Sequence, residues 1–64
     1  MDAIDNIVEK LTSISEELND LAMSILSEAI TEGQRVRPDT EKKVSQARRA
    51  VDKAIHHLSG TNTD

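Results

Sequence analysis

The stretch IDNIVEKLTSISEELNDLAMSI, residues 4–25, decides the fold. Isoleucine or leucine recurs in it at alternating intervals of three and four residues, the spacing of helices that pack in coiled coils and bundles. We call these seven positions the apolar stripe: Ile4, Ile7, Leu11, Ile14, Leu18, Leu21 and Ile25. The spacing predicts one amphipathic helix over about residues 3–32, with Asp2 as its N-terminal cap and Gly33 as its C-terminal cap. The stripe is its predicted oligomer interface.

A second apolar block repeats the same spacing in the second half of the chain. Its members are Val44, Ala47, Val51, Ala54 and Leu58. They predict a second helix over about residues 39–59, with Pro38 at its start and Gly60 at its end. The connection, residues 33–37, is short and favours antiparallel neighbours, whereas residues 61–64 form a flexible C-terminal tail. The predicted fold class is all-α: an antiparallel two-helix hairpin forming a single domain, residues 1–60.

The size of the chain predicts that one copy cannot bury its own apolar residues. It has 64 residues, no cysteine and no aromatic side chain, so disulfides and the largest core residues are absent. At 1.5 Å per residue the first helix is about 45 Å long and the second about 32 Å, which covers the first only to about residue 12. We therefore expect a homodimer that forms a four-helix bundle, with a heterologous helical protein as the alternative partner.

The first helix also has an unusually wide apolar face near its C-terminal end, over residues 21–30. Ala22, Met23, Leu26, Ala29 and Ile30 adjoin the stripe there. A helix that is apolar over about half its circumference is typical of one that touches two neighbours in a bundle. The alternative interpretation of this face is a groove for another protein's helix or a lipid surface.

Charge divides between the two halves of the chain. Residues 1–32 carry eight acids and one base, Lys10, whereas residues 33–60 carry seven bases and three acids. An acidic helix beside a basic one is attracted to it, and this pattern favours one arrangement of the helices over others. The net charge of the chain is −4.

Basic side chains on the second helix are candidates for nucleic-acid binding. They are Lys42, Lys43, Arg48, Arg49 and Lys53. A row of cations can release counterions from a phosphate backbone. The acidic net charge and the lack of aromatic residues to stack on bases favour another interpretation, a solvated face that complements the acidic helix. Nucleic-acid binding is therefore the alternative function.

The remaining polar residues predict neither a metal site nor a catalytic one. His56 and His57 are adjacent and point about 100° apart on a helix, and Asp52 with His56 supplies only two ligands. The adjacent acids Glu16 and Glu17 diverge in the same way and lack an apolar enclosure. We expect a non-enzymatic interaction or regulatory module without cofactor.

No segment of the sequence is predicted to direct the chain to a membrane. Asp2 and Asp5 follow Met1 where a signal peptide has basic residues, and the longest uninterrupted apolar run is LAM, residues 21–23. We expect a cytoplasmic protein.

Overall fold

The computed structural model describes residues 2–33 and 37–60, which form two α-helices packed against each other. Helix α1 spans Ala3–Thr31 and helix α2 spans Asp39–Ser59. No strand occurs in the described ranges. The chain is thus the all-α hairpin that the two apolar blocks predict. The middle of the predicted connection, residues 34–36, and the predicted tail, residues 61–64, lie outside the described residues.

The ends of α1 follow from their local sequence. The Asp2 carboxylate accepts a hydrogen bond from the backbone N–H of Asp5 at 2.8 Å, which satisfies one of the free donors in the first turn. At the other end Gly33 has φ +84°, and its N–H donates to the Ile30 carbonyl at 3.0 Å. Glycine takes this left-handed conformation without the steric cost that a Cβ adds. Asp2 is therefore the N-terminal cap as predicted, whereas the C-terminal cap is Glu32 and Gly33 is the left-handed residue that follows it.

The helices meet along a row of small side chains beside the stripe. The α1 residues of this row, which we call the hairpin seam, recur every seven residues: Val8, Ser15, Ala22 and Ala29. Ala22 and Ala29 are the buried hydrophobic residues of the described chain, at 7% and 6% exposure. Short side chains let two helix backbones approach closely, so the seam, rather than the row Ile7, Ile14 and Leu21, faces α2.

Helix α2 presents a largely polar row to the seam. The members of this row are buried or half-buried: Glu41, Ser45, Arg48, Asp52 and Ile55. Of the apolar positions predicted for α2, Ala47 is exposed, whereas Val44, Val51, Ala54 and Leu58 are half-buried at the edge of the contact. The contact with α1 therefore includes polar side chains beside the apolar positions that the spacing identifies.

The register of the hairpin is fixed by a hydrogen bond between the helices. The Ser15 hydroxyl donates to the Asp52 carboxylate at 2.5 Å. The two helices are antiparallel and rise equally per residue. A residue of α1 and a residue of α2 are therefore at the same height along the hairpin when their numbers add up to about 67. Ser59 is then level with Val8, so α2 reaches further along α1 than residue 12. The overhang of α1 is confined to its first turn and a half.

The hairpin is a single layer without an enclosed core. Its extents are 48 × 20 × 12 Å, and a helix with its side chains is about 10–12 Å across. The radius of gyration is 15.0 Å, whereas a compact chain of this length has about 11 Å. No large side chain of the described residues is fully buried.

Neither α1 nor α2 contains a segment long and apolar enough to span a bilayer.

Candidate interaction surface

The stripe divides into two rows that differ in their environment. Ile4, Leu11, Leu18 and Ile25 border the hairpin seam and are half-buried. Ile7, Ile14 and Leu21 lie one step further from α2 and are 47%, 45% and 48% exposed. Large aliphatic side chains at seven-residue spacing form a continuous line along α1. Three of the seven predicted interface residues are therefore exposed, and the other four are half-buried beside the hairpin seam.

Helix α2 extends this surface on the same side of the hairpin. Its half-buried positions Val44, Val51 and Leu58 recur every seven residues, as do Ala47 and Ala54 beside them. When two antiparallel helices pack through the same side of their heptad pattern, the apolar positions of both helices lie on the same side of the pair. We call the combined surface of the stripe and these five α2 residues the apolar face.

The opposite side of the hairpin is a polar groove. It has a volume of about 340 Å³ and is lined by Ser15, Glu16, Asn19, Asp20 and Arg48. The Asp52 carboxylate beside it accepts hydrogen bonds from Ser15 at 2.5 Å and from the Arg48 guanidinium at 3.5 Å. Arg48 thus pairs with Asp52 of its own helix and lines the same groove as the α1 acids Glu16 and Asp20. Both ion pairs of the described residues, Arg37–Glu41 and Arg48–Asp52, join residues four apart in the second half of the chain, so neither pairs a base of α2 with an acid of α1.

A second exposed apolar cluster lies near the connection. Met23 is 60% and Ile30 73% exposed, and Leu26 beside them is half-buried. On the helical wheel Ile30 lies about 180° from Leu21, so the cluster and the stripe cannot contact the same flat partner. The wide face predicted for residues 21–30 therefore consists of two separate surfaces with the hairpin seam between them.

Glu41, in the first turn of α2, is a buried carboxylate that the spacing of apolar residues does not indicate. Its side chain is 3% exposed. One carboxylate oxygen accepts from Arg37 Nε at 2.5 Å and the other from the Ser45 hydroxyl at 2.6 Å. The hydrogen bond from Arg37, followed by that from Ser45, lowers the pKa of Glu41 below its usual value. The spacing of Arg37, Glu41 and Ser45, four and four, is the signal that could have identified this cluster.

The candidate nucleic-acid residues do not form one set in the structure. Lys42, Lys43, Arg49 and Lys53 are exposed on α2. Arg48 is half-buried, lines the polar groove and hydrogen-bonds Asp52. Its guanidinium pairs with Asp52 of the same helix, next to the hairpin seam. Arg48 therefore does not belong to an outward basic row.

The histidines lie apart from the one carboxylate at suitable spacing. Their ring centroids are 6.4 Å apart with the rings inclined by 57°, and both residues are exposed. Asp52, four residues before His56, is engaged with Ser15 and Arg48 instead. Among residues 2–33 and 37–60, no three histidine or acidic side chains come together in a way that could hold a metal ion.

Comparisons with known proteins give no relative from which a function could be transferred. No protein-family model matches the chain, and neither a curated protein sequence nor a solved structure matches it significantly.

Proposed function

We propose that this chain is a non-enzymatic, cytoplasmic interaction module that dimerises through its apolar face into a four-helix bundle. The observation that carries the proposal is the exposure of Ile7, Ile14 and Leu21, close to one half each, along a line about 21 Å long at 1.5 Å per residue. An aliphatic line of this length on an isolated hairpin leaves apolar surface in water that a second copy would cover.

The area that the chain exposes agrees with this proposal. Its accessible surface is 5036 Å². Compact monomers of 7.1 kDa expose about 4,100 Å² by the usual scaling, so about 900 Å² remains in excess. A standard protein–protein interface covers about 800 Å² on each partner. One interface on the apolar face would therefore return the exposed area per chain to that of an ordinary folded protein.

The geometry of the two helices supports a bundle rather than another assembly. Each helix already has one neighbour along one flank of its heptad core, and both cores face the same side of the hairpin. Two such hairpins placed face to face enclose one core between four helices, and every helix then has two neighbours. Twofold symmetry gives both copies the same contacts and closes the assembly at two chains.

Sedimentation equilibrium at low micromolar concentration, followed by circular dichroism of the same samples, tests the proposal. We expect twice the 7.1 kDa chain mass and a helical spectrum. A helical monomer at these concentrations would contradict the proposal. An unfolded monomer would also contradict it, and would assign the apolar face to a heterologous helical partner. Because the chain has no aromatic residue, detection requires interference optics or peptide absorbance.

A second candidate function, nucleic-acid binding, is favoured by one observation. Lys42, Arg49 and Lys53 are exposed along the outer side of α2, and among the described residues no ion pair neutralises them. A salt-sensitive mobility shift with RNA or DNA, lost when Arg49 and Lys53 are both replaced by Glu, would support this function. No shift at low salt would reject it.

A further inference from the structure

Two charged residues of α1, on the side of the stripe away from α2, form no ion pair within the described part of the hairpin. On the side of the stripe away from α2, a row of exposed residues recurs every seven positions; we call it the flank row: Ala3, Lys10, Glu17, Ser24 and Thr31. Lys10 is the sole base of residues 1–32. Within the described part of the chain, no ion pair reaches Lys10 or Glu17. Residues at this heptad position lie next to whatever helix covers the stripe.

We propose that α1 of a second copy covers the stripe in antiparallel orientation, with Leu11 level with Ile14 of the second copy. This inference rests on the proposed dimer and adds its orientation and register. In this register Ile4 is level with Leu21 of the second copy and Ile7 with its Leu18. The two stripes then form six layers, each with one aliphatic residue from each copy. Ile4, which lies beyond the end of α2, is covered by the second copy.

Charge selects this register over the nearest alternative. Sliding the second copy by one heptad also closes six aliphatic layers, so apolar burial does not separate the two arrangements. When two equivalent helices are antiparallel, their flank rows face each other. In the proposed register Lys10 then faces Glu17 of the second copy, and symmetry repeats the pair. In the alternative Glu17 faces its own equivalent and Ile4 faces Glu28 of the second copy.

Charge also disfavours an arrangement in which the hairpins are parallel. The flank row would then face α2 of the second copy at the hairpin's own register. Lys10 would lie beside His57, and Glu17 beside Ala50. In such an arrangement neither flank-row charge meets an opposite one. The antiparallel arrangement satisfies both charges, so it is the orientation that complementarity favours.

Distances between spin labels on the two copies test the orientation and the register together. The chain has no cysteine, so Asn6→Cys and Ser27→Cys give single labelling sites, both on the exposed outer side of α1. At 1.5 Å per residue, the proposed register separates the two labels at position 27 by about 45 Å and those at position 6 by about 20 Å. The alternative register separates the labels by about 30 Å along the axis at both positions, and parallel hairpins place equivalent labels at the same height, so in either case the two distances are nearly equal.

These outcomes separate failure of the inference from failure of the proposed dimer. One long and one short distance supports the inference. Two nearly equal distances overturn it while leaving the dimer standing. The absence of any dipolar coupling, together with a monomer mass, overturns both.

Charge reversal supplies an independent test. Lys10→Glu and Glu17→Lys each convert two attractive pairs into repulsive ones, and we expect each to weaken self-association about tenfold. Mixed in equal amounts, the two variants should form the heterodimer preferentially, because both pairs are then attractive. Glu9→Lys is the matched control for Glu17→Lys, since it makes the same charge change on the outer side of α1. A mixture of Lys10→Glu with Glu9→Lys that pairs equally well would overturn the inference.

Discussion

Replacing Ile14 by Asp separates the apolar face from the hairpin seam more cleanly than any other single change. Ile14 is 45% exposed in the hairpin, so the substitution removes little of what holds α1 to α2. In the proposed dimer the same position lies at the centre of the stripe, where a carboxylate has no partner. We therefore expect a large loss of association and a small intrinsic loss in the hairpin contact.

The magnitude follows from the exposed share of the side chain. Complete burial of an isoleucine contributes roughly 1.5–3 kcal/mol, so the exposed share contributes about 1 kcal/mol per chain. Burying an unpaired carboxyl group costs at least about 2 kcal/mol more. Two copies bring the loss to about 6 kcal/mol per dimer, which corresponds to an increase in Kd on the order of ten-thousandfold.

Ile30→Asp is the matched control for this change. It makes the same substitution on the same helix, but Ile30 is 73% exposed and lies on the other side of the hairpin seam. We expect its Kd to change less than about tenfold, since an acid near the C-terminal end of a helix costs only a few tenths of a kcal/mol. Sedimentation velocity over a concentration series measures both constants. If Ile14→Asp remains dimeric, or Ile30→Asp dissociates as readily, the stripe is not the interface.

Three further changes test the contacts within the hairpin. Ser15→Ala removes the hydrogen bond to Asp52 between the helices, and we expect urea denaturation to show a loss of about 1 kcal/mol; an unchanged midpoint would mean that the bond does not hold the register. Gly33→Ala places a Cβ at φ +84°, and the same assay should show a loss of about 1 kcal/mol, whereas a gain would contradict the left-handed cap. Arg37 and Ser45 lower the pKa of Glu41 in the folded chain below its ordinary value of 4.5. The ionised carboxylate therefore stabilises the fold at pH values above 4.5. This stabilisation is lost as the pH falls through the lower pKa of the folded chain. Thermal melts between pH 2 and 6 should therefore show a smaller acid destabilisation for Glu41→Gln than for the wild type, and equal pH profiles would refute the role of this cluster.

Secondary structure was predictable because its signals are local. The spacing of apolar residues specifies two helices, and Asp2 and Gly33 act through their own backbone neighbours. These effects need no knowledge of the rest of the fold. The hairpin itself agrees with the short connection between the two predicted helices, which favours antiparallel neighbours.

The face that each helix turns to the other was not predictable from hydrophobicity alone. The largest aliphatic residues mark the stripe, but α2 packs on the adjacent row, where Ala22 and Ala29 allow close approach. Leu11 and Leu18 belong to both contacts, so a single periodic pattern conceals two interfaces. The seven-residue recurrence of small residues in the hairpin seam is the signal that separates them.

The polar contacts between the two helices could not be predicted from the sequence for a different reason. The Ser15–Asp52 hydrogen bond joins residues 37 positions apart, and its existence depends on the register of the helices. Glu41 is likewise buried only in the folded chain, where Arg37 and Ser45 hydrogen-bond its carboxylate. Arg48 and Arg49 are adjacent bases that the sequence does not distinguish. Because successive residues of a helix point about 100° apart, Arg48 lines the polar groove whereas Arg49 is exposed on the outer side.

Thermal unfolding at widely different protein concentrations tests the central claim that one copy cannot shelter its own apolar surface. If folding and association are coupled, the Tm followed by circular dichroism rises steadily as the concentration increases from about 1 μM to 100 μM, because mass action favours the dimer. A Tm that is the same across this range, with a cooperative transition, would show that the hairpin is stable alone and would contradict the account.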